Sequence, residues 1–304
     1  MKYRNFLIVV IFSFGCFSSF SQSNLLNAKV PSEIGKKTPA QLLSDADKPL
    51  AYGYVHDRDV LLGKTMWETI DLDERINFPL YYPIDTANIG KERRSLFDVL
   101  LKGIKDEKIT EVYTDSYFNT KKTFKDMSSS LTYVDTTNAG REEINNFPED
   151  YKSGKKVLDP QYINKNELAA YHISDYKIKG YWYFDKRQSE LKYRILGICP
   201  IAPEAKEIGA ENQDFIELFW VYFPAIRDVL HEAKAFNDRN SAMPITFDHL
   251  LNSRRFNAVV YKEENVFGDR EIAEYMKENS QMQLLESERV KDKIRDFEQD
   301  MWNY

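Results

Sequence analysis

The chain has two cysteines, Cys16 and Cys199, and the first falls inside a segment ordered like a secretory signal. Lys2 and Arg4 precede the apolar run Phe6-Leu-Ile-Val-Val-Ile-Phe12, and the small-residue stretch Ser18-Ser19-Phe20-Ser21-Gln22 follows. The run is shorter than the roughly 20 residues a membrane-spanning helix needs. Ser19 and Ser21 stand at minus three and minus one of a cleavage after Ser21, so residues 1–21 are expected to be removed on export. Lipid attachment at Cys16 fits poorly, because bulky Phe14 precedes Gly15 and Ser13 stands where an aliphatic residue is usual. The mature chain therefore keeps Cys199 alone and forms no intramolecular disulfide, even in a compartment that permits one. Its stability has to come from a packed core. With 42% hydrophobic and 14% aromatic residues over 304 positions, the material for one large or two small domains is present.

Loss of Lys2 and Arg4 from the 42 basic residues, against 48 acidic ones, moves the net charge from -6 to -8. That sign, and the lack of a basic stripe with interleaved aromatics, argues against nucleic acid as a partner. His56, His172, His231 and His249 are scattered, with neither an i, i+4 pair nor a second cysteine, so no metal site is expected. None of the 12 glycines forms a GxGxxG turn or a GxxxxGK[ST] loop, and no GxSxG elbow occurs, so no cofactor is expected. Cys199 closes an apolar run beside Pro200 and reads as a buried, inert thiol. Asp57, Asp59, Asp71, Asp73, Asp185 and Glu190 would have to converge across a cleft to act as a glycosidase pair; caps and solvated faces account for them as well.

Along the chain, 22–50 reads as an extended arm, with Pro31, Pro39 and Pro49 and little periodicity. A first α/β half spans 51–114. Within it Asp57–Ile70 places Val60, Leu61, Met66, Trp67 and Ile70 at helical spacing; Asn77–Pro83 reads as an aromatic strand; Ser95 caps a helix over Ser95–Leu101; Ile109–Tyr113 reads as a strand. The stretch 115–161, rich in Ser, Thr, Asn, Lys and Asp, reads as a polar linker or insertion. A second, α+β half spans 162–304. There Tyr176–Phe184 and Leu191–Ile198 form an antiparallel hairpin with one wet face, Phe215–Pro224 adds a third strand, Thr246–Leu251 reads as a helix echoing the Ser95–Leu101 block, and Asn257–Tyr261 is β-rich. The Tyr-aromatic-Pro and Phe-Asp-x-Leu-Leu blocks occur in the same order in both halves, as a duplication would leave them; chance in a Tyr- and Phe-rich chain gives the same echo. Met282–Tyr304 is expected as a long amphipathic helix, its stripe Val290, Ile294, Phe297 and Met301 docking on its own domain or on a partner. The fold class is thus α+β: two halves of mainly antiparallel sheet with packed helices and a long C-terminal helix.

Aromatic runs mixed with arginines are the remaining functional signal, since Tyr, Trp and Arg provide large contact area with polar handles. Trp182, Tyr183, Phe184, Arg187, Trp220, Tyr222, Arg254, Arg255 and Trp302 are the candidate partner-binding residues, with Arg194 and Arg227 in the same mixture. On strands, half of each run must also face a core.

Taken in order, these blocks resemble the GldN/PorN family. The first half carries Asp57-Arg-Asp-Val-Leu61, Trp67, Ile70-Asp-Leu72, Asn77, Pro79-Leu-Tyr-Tyr-Pro83 and Ser95-Leu-Phe-Asp-Val-Leu100. The second carries Trp182-Tyr-Phe-Asp-Lys186, Arg194-Ile-Leu-Gly-Ile198, Leu218-Phe-Trp-Val-Tyr-Phe-Pro224, Arg254-Arg-Phe-Asn257, Lys262-Glu-Glu-Asn-Val266 and Phe297-Glu-Gln-Asp-Met-Trp302. Leu62 departs from the family's frequent tryptophan, as a divergent member or a paralogue such as GldO would. The resemblance implies a non-catalytic periplasmic scaffold of the type IX secretion and gliding machinery, held at the outer membrane through a partner. It implies a ring formed by self-association with a GldK/PorK-like outer-membrane lipoprotein, coupled to a GldM/PorM-like inner-membrane motor subunit. An exported enzyme, or a ligand-binding protein acting on envelope polysaccharide, is the alternative that composition leaves open.

Overall fold

The computed structural model describes residues 30, 48–85, 93–152, 156–210, 212–236, 245–277 and 279–302. The chain divides into two units, Met1–Lys48 and Pro49–Tyr304, and the fold below belongs to the second. The expected signal segment lies outside the described residues, as does the arm apart from Val30 and Lys48–Leu50.

The described architecture is α+β and centres on one antiparallel sheet. Its first strand, β1 (Val60–Asp71), follows a single 3-10 turn at Asp57–Asp59. This overturns the helix expected over Asp57–Ile70. Met66, Trp67, Glu68 and Ile70 are all buried, because β1 has packing on both faces, and two-sided burial yields an apolar run whose spacing also fits a helix. The aromatic run after it is likewise not a strand: a 3-10 turn at Arg75–Asn77 leads into α1 (Phe78–Tyr81). Pro79, lacking an N–H, suits a helix's first turn, where that donor would be unused. Asn77, fully buried, donates to the carbonyls of Asp71 (2.6 Å) and Asn257 (3.1 Å) and accepts from the N–H of Asn257 (2.9 Å), tying this corner to a segment 180 residues away.

Next, α2 (Leu96–Lys105) begins where expected: the Ser95 side chain accepts from the Asp98 N–H. The expected strand at Ile109–Tyr113 reduces to bridges at Tyr113, whose N–H and carbonyl each pair with Trp220 at 2.8 Å. The polar stretch 115–161 contains α3 (Phe124–Leu131), β2 (Thr132–Thr136), α4 (Asn138–Asn146) and α5 (Pro148–Lys152), and Met127 and Leu131 join the main core. Beyond it, β2 pairs with β3 (Ile163–Glu167).

The expected hairpin forms as β4 (Asp175–Asp185) and β5 (Glu190–Pro203), which pair antiparallel through most of their length. Its wet face is smaller than expected, since Ile198–Ala202 is buried on both sides. The expected strand at Phe215–Pro224 splits: β6 (Phe215–Glu217) and β7 (Val221–Tyr222) pair with β5, and α6 (Phe223–Glu232) starts at once, with Pro224 in its first turn. A short pair, β8 (Lys234–Ala235) and β9 (Ile245–Thr246), precedes α7 (Phe247–Asn252), capped by Thr246. Then β10 (Val259–Glu263) pairs with β1 and completes the order β10-β1-β4-β5-β6, so strands from both halves of the chain share one sheet. A short helix, α8 (Ile272–Tyr275), leads to α9 (Ser280–Trp302).

Neighbouring residues on a strand face opposite ways, which sorts the core. Ile70, Ile178, Ile195 and Ile198 pack against α2, α6 and α7 through Phe97, Leu100, Ile226, Leu230, Phe247 and Leu251. Farther along, Met66 and Val260 meet Val290 and Ile294 of α9, and Phe184 meets Phe297 edge-on at 6.0 Å. The stripe of the C-terminal helix thus docks on its own domain. Ser287, fully buried, accepts from the Val260 N–H at 2.9 Å, and Lys291 donates to the Ala258 carbonyl at 2.9 Å, so α9 also satisfies the outer strand β10. On the reverse of the sheet, Trp67, Tyr113, Cys199 and Trp220 form a smaller cluster.

Gly180 is required by close approach. A Cβ there would lie 2.1 Å from the Tyr193 hydroxyl and 2.3 Å from its ring, and that ring is held by partners on its far side. Gly180→Ala is expected to lower stability by about 1–3 kcal/mol, read as a lower urea midpoint with unchanged slope.

Candidate functional site

The arginines and aromatics of the sheet segregate into two groups, one around Glu68 and one lining a cavity. On one face, Trp182 and Tyr193 are cross-strand partners, and the Arg254 guanidinium lies 4.1 Å from the Tyr193 ring and 5.1 Å from that of Trp182. It donates two hydrogen bonds of 2.9 Å to Glu68, a carboxylate only 1% exposed that also accepts from the Tyr193 hydroxyl at 3.0 Å. Arg254 holds this position at φ 50, directly after α7. Its N–H donates to Leu251 and that of Arg255 to Leu250, the closure that ordinarily takes glycine at the left-handed position. An arginine there costs backbone strain and places the guanidinium on Glu68. Burial lowers the Arg254 pKa, but the hydrogen bond and charge of Glu68 outweigh it and the net shift is upward.

The second group gathers where β6 and β7 leave the edge of β5 opposite β4 unpaired: they pair with Gly197–Pro203, not with Glu190–Leu196. Beside that free edge runs the segment Leu50–Val55, and between them lies a cavity of about 280 Å³ lined by Tyr52, Tyr54, Tyr183, Arg187, Lys192, Arg194 and Arg227. Tyr52 anchors the segment: its hydroxyl donates to Asn252 Oδ1 at 2.7 Å, and its ring lies 4.1 Å from the Arg227 guanidinium and 4.9 Å from that of Arg194. Arg187 donates to the Tyr54 carbonyl at 2.7 Å and Arg194 to that of Gly53.

Three of the four cations have carboxylate neighbours. Arg227 donates to both oxygens of buried Asp248, at 2.8 and 3.0 Å, and this bond foremost raises its pKa. Arg187 lies 3.1 Å from Asp59, and Lys192 3.9 Å from Asp185 and 3.7 Å from Glu190. Among the described residues Arg194 forms no ion pair; its contacts are the Gly53 carbonyl and the rings of Tyr52 and Tyr183, the latter at 5.3 Å.

Of the residues singled out from sequence, Tyr183 and Arg187 line this cavity. Phe184 and Trp220 are 2% and 0% exposed and fill the core, with Trp220 Nε1 donating to Glu217 at 2.7 Å. Trp182 and Arg254 belong to the Glu68 cluster; Tyr222 is exposed beside Phe118; Arg255 is exposed; the side chain of Trp302 lies outside the described residues. Tyr52, Lys192, Arg194, Arg227 and Asn252 complete the cavity and were not singled out as a group. Arg194, a charge between apolar Tyr193 and Ile195 at the hairpin's free edge, was the available signal.

Among the described residues no three of His, Cys, Asp or Glu come together as a metal site, and no helix is long and apolar enough to cross a membrane. Cys199 is fully buried, and burial pushes its thiol pKa well above the ordinary value. It is expected to resist iodoacetamide in the native protein and to react only in denaturant; rapid native labelling, followed by mass spectrometry, would contradict the structure.

The sequence model of a family described as gliding motility associated protein GldN matches residues 55–303. No curated protein matches the chain. The match runs from the segment beside the cavity to the end of α9, and the chain belongs to this family of gliding-motility and type IX secretion components.

Proposed function

We propose that this member of the GldN family is a non-catalytic periplasmic scaffold subunit of the type IX secretion and gliding machinery. It self-associates into a ring with a GldK/PorK-like outer-membrane lipoprotein and couples that ring to a GldM/PorM-like motor subunit of the inner membrane. The observation that carries this reading is the family match across 55–303, which takes in almost all of the folded unit rather than one motif. The chemistry of the fold is in keeping with it. Glu68, only 1% exposed, is locked to Arg254 by bidentate bonds between the sheet and the turn after α7, and the cavity at the free edge of β5 is lined by tyrosines and arginines of the kind protein interfaces favour. Function then consists of holding shape and passing force through interfaces.

The test is crosslinking of intact envelopes, pull-down of the mature chain, and mass spectrometry with sizing of the extracted complex. Recovery in a very large assembly with the lipoprotein and the motor subunit supports the proposal. Recovery as a free monomer sinks it and turns attention to envelope polysaccharide as a ligand.

A further inference from the structure

We infer that the cavity between Leu50–Val55 and the free edge of β5 binds a carboxylate on an extended, acidic segment of a partner protein, with Arg194 as its principal contact. The inference rests on the reading of this chain as a protein-binding component and specifies the chemistry of one of its partner sites.

The argument begins with the charges. Arg187, Lys192 and Arg227 each have a carboxylate of this chain beside them, at 3.1, 3.9 and 2.8 Å, whereas Arg194 forms no ion pair among the described residues. A guanidinium carries five N–H donors in a planar fork, and the Gly53 carbonyl occupies only part of that fork. The rings of Tyr52 and Tyr183, 4.9 and 5.3 Å from its centre, hold the cation in place and are acceptors only through their faces. The group that satisfies the remaining in-plane donors is a planar anion of one charge, and a carboxylate matches it bidentately. A phosphate dianion suits the site less well, because Asp185 lines the same cavity and Glu190 stands beside Lys192. Size and setting favour a peptide. The cavity, about 280 Å³, takes one acidic side chain rather than a large ligand, and it opens beside Glu190–Leu196, a strand segment that β6 and β7 leave unpaired on that side. An extended segment can cross the mouth of the cavity, between that edge and Leu50–Val55, while its Asp or Glu enters it.

The experiment titrates the full mature chain by calorimetry with the peptide acetyl-(Val-Glu)3-amide, with its glutamine counterpart acetyl-(Val-Gln)3-amide, and with inorganic phosphate as competitor. Binding of the glutamate peptide is expected to weaken roughly tenfold or more in Arg194→Gln. Arg194→Lys should lie in between, since an ammonium keeps the charge and loses the fork. The glutamine peptide should bind at least tenfold more weakly than the glutamate peptide, and phosphate should not displace the latter. Equal affinity of the two peptides, or wild-type affinity in Arg194→Gln, overturns the inference. Displacement by millimolar phosphate also overturns it, in favour of a general anion site. If Arg194→Gln does not fold, Arg194→Lys carries the test by the same criterion. Failure of peptide binding, with the large envelope assembly still recovered for both variants, refutes the carboxylate site and leaves the scaffold role standing.

Discussion

Glu68→Leu lowers folding stability by about 3–5 kcal/mol, because it leaves the Arg254 guanidinium among Trp182, Tyr193 and Phe256 with no counter-charge. The size of the effect follows from burial: Glu68 is 1% exposed, and both of its oxygens accept from Arg254 at 2.9 Å. Arg254→Met is expected to cost a similar amount, since it strands the carboxylate. The double variant Glu68→Leu/Arg254→Met should recover part of the loss, as neither charge is then buried alone. Arg254→Gly separates backbone from side chain. It relieves the strain of a left-handed arginine at φ 50, worth about 1–2 kcal/mol, and removes the ion pair. If the pair dominates, as its burial requires, Arg254→Gly remains less stable than the wild type. Urea denaturation of the four variants decides the point, and strictly additive losses in the double variant would contradict the pairing.

Val290→Asp is expected to release α9 from the sheet. Val290 is 1% exposed and packs with Met66, Val260 and Ile294, so a carboxylate there costs about 3 kcal/mol or more unless the helix lifts away. Lifting carries its own loss: the Val260 N–H gives up Ser287, the Ala258 carbonyl gives up Lys291, and the outer strand becomes an unprotected edge. Limited proteolysis should then cut within α9 many times faster than in the wild type, with cleavage mapped by mass spectrometry. Leu285→Asp on the same helix, at a position 62% exposed, should stay within about 0.5 kcal/mol of wild type and be cut no faster. Equal cutting of Val290→Asp and wild type would refute the docked helix.

The parts of the fold legible in the sequence are those in which a local signal and the tertiary environment agree. Ser95 caps α2 because its hydroxyl accepts from the N–H three residues on, an interaction written within four residues of sequence; Thr246 caps α7 in the same way, where the sequence was read only as echoing the Ser95 block. The β4 and β5 hairpin follows from aromatic and β-branched runs about a polar turn, and α9 from a stripe that leaves its other positions charged. The failures share a different cause. β1 reads as a helix because both its faces are covered, Met66 by the C-terminal helix and Trp67 by the non-helical segment around Tyr113 and Tyr117, and the two-residue period that marks a half-buried strand disappears. At α1 and α6 a proline in an aromatic run reads as a strand end, whereas the structure uses it to begin a helix.

The candidate site divides along the same line. Aromatic-arginine composition pointed to Tyr183 and Arg187, which line the cavity, and equally to Phe184 and Trp220, which do not reach the surface. A strand's alternation says that one residue in two faces inward; which face is inward depends on what packs against it.

What the sequence determined by itself is therefore local or collective: the Ser95 cap, the hairpin, the C-terminal helix, and the ordered blocks that mark the family. Only the tertiary structure decided that β1 is a strand, that Arg254 faces Glu68 across 186 positions, and that Arg194 is the cavity's cation without a carboxylate partner among the described residues. The reason is physical. Caps and amphipathic stripes are set by interactions within a few residues, whereas burial and charge pairing depend on distances that exist only once remote segments have met.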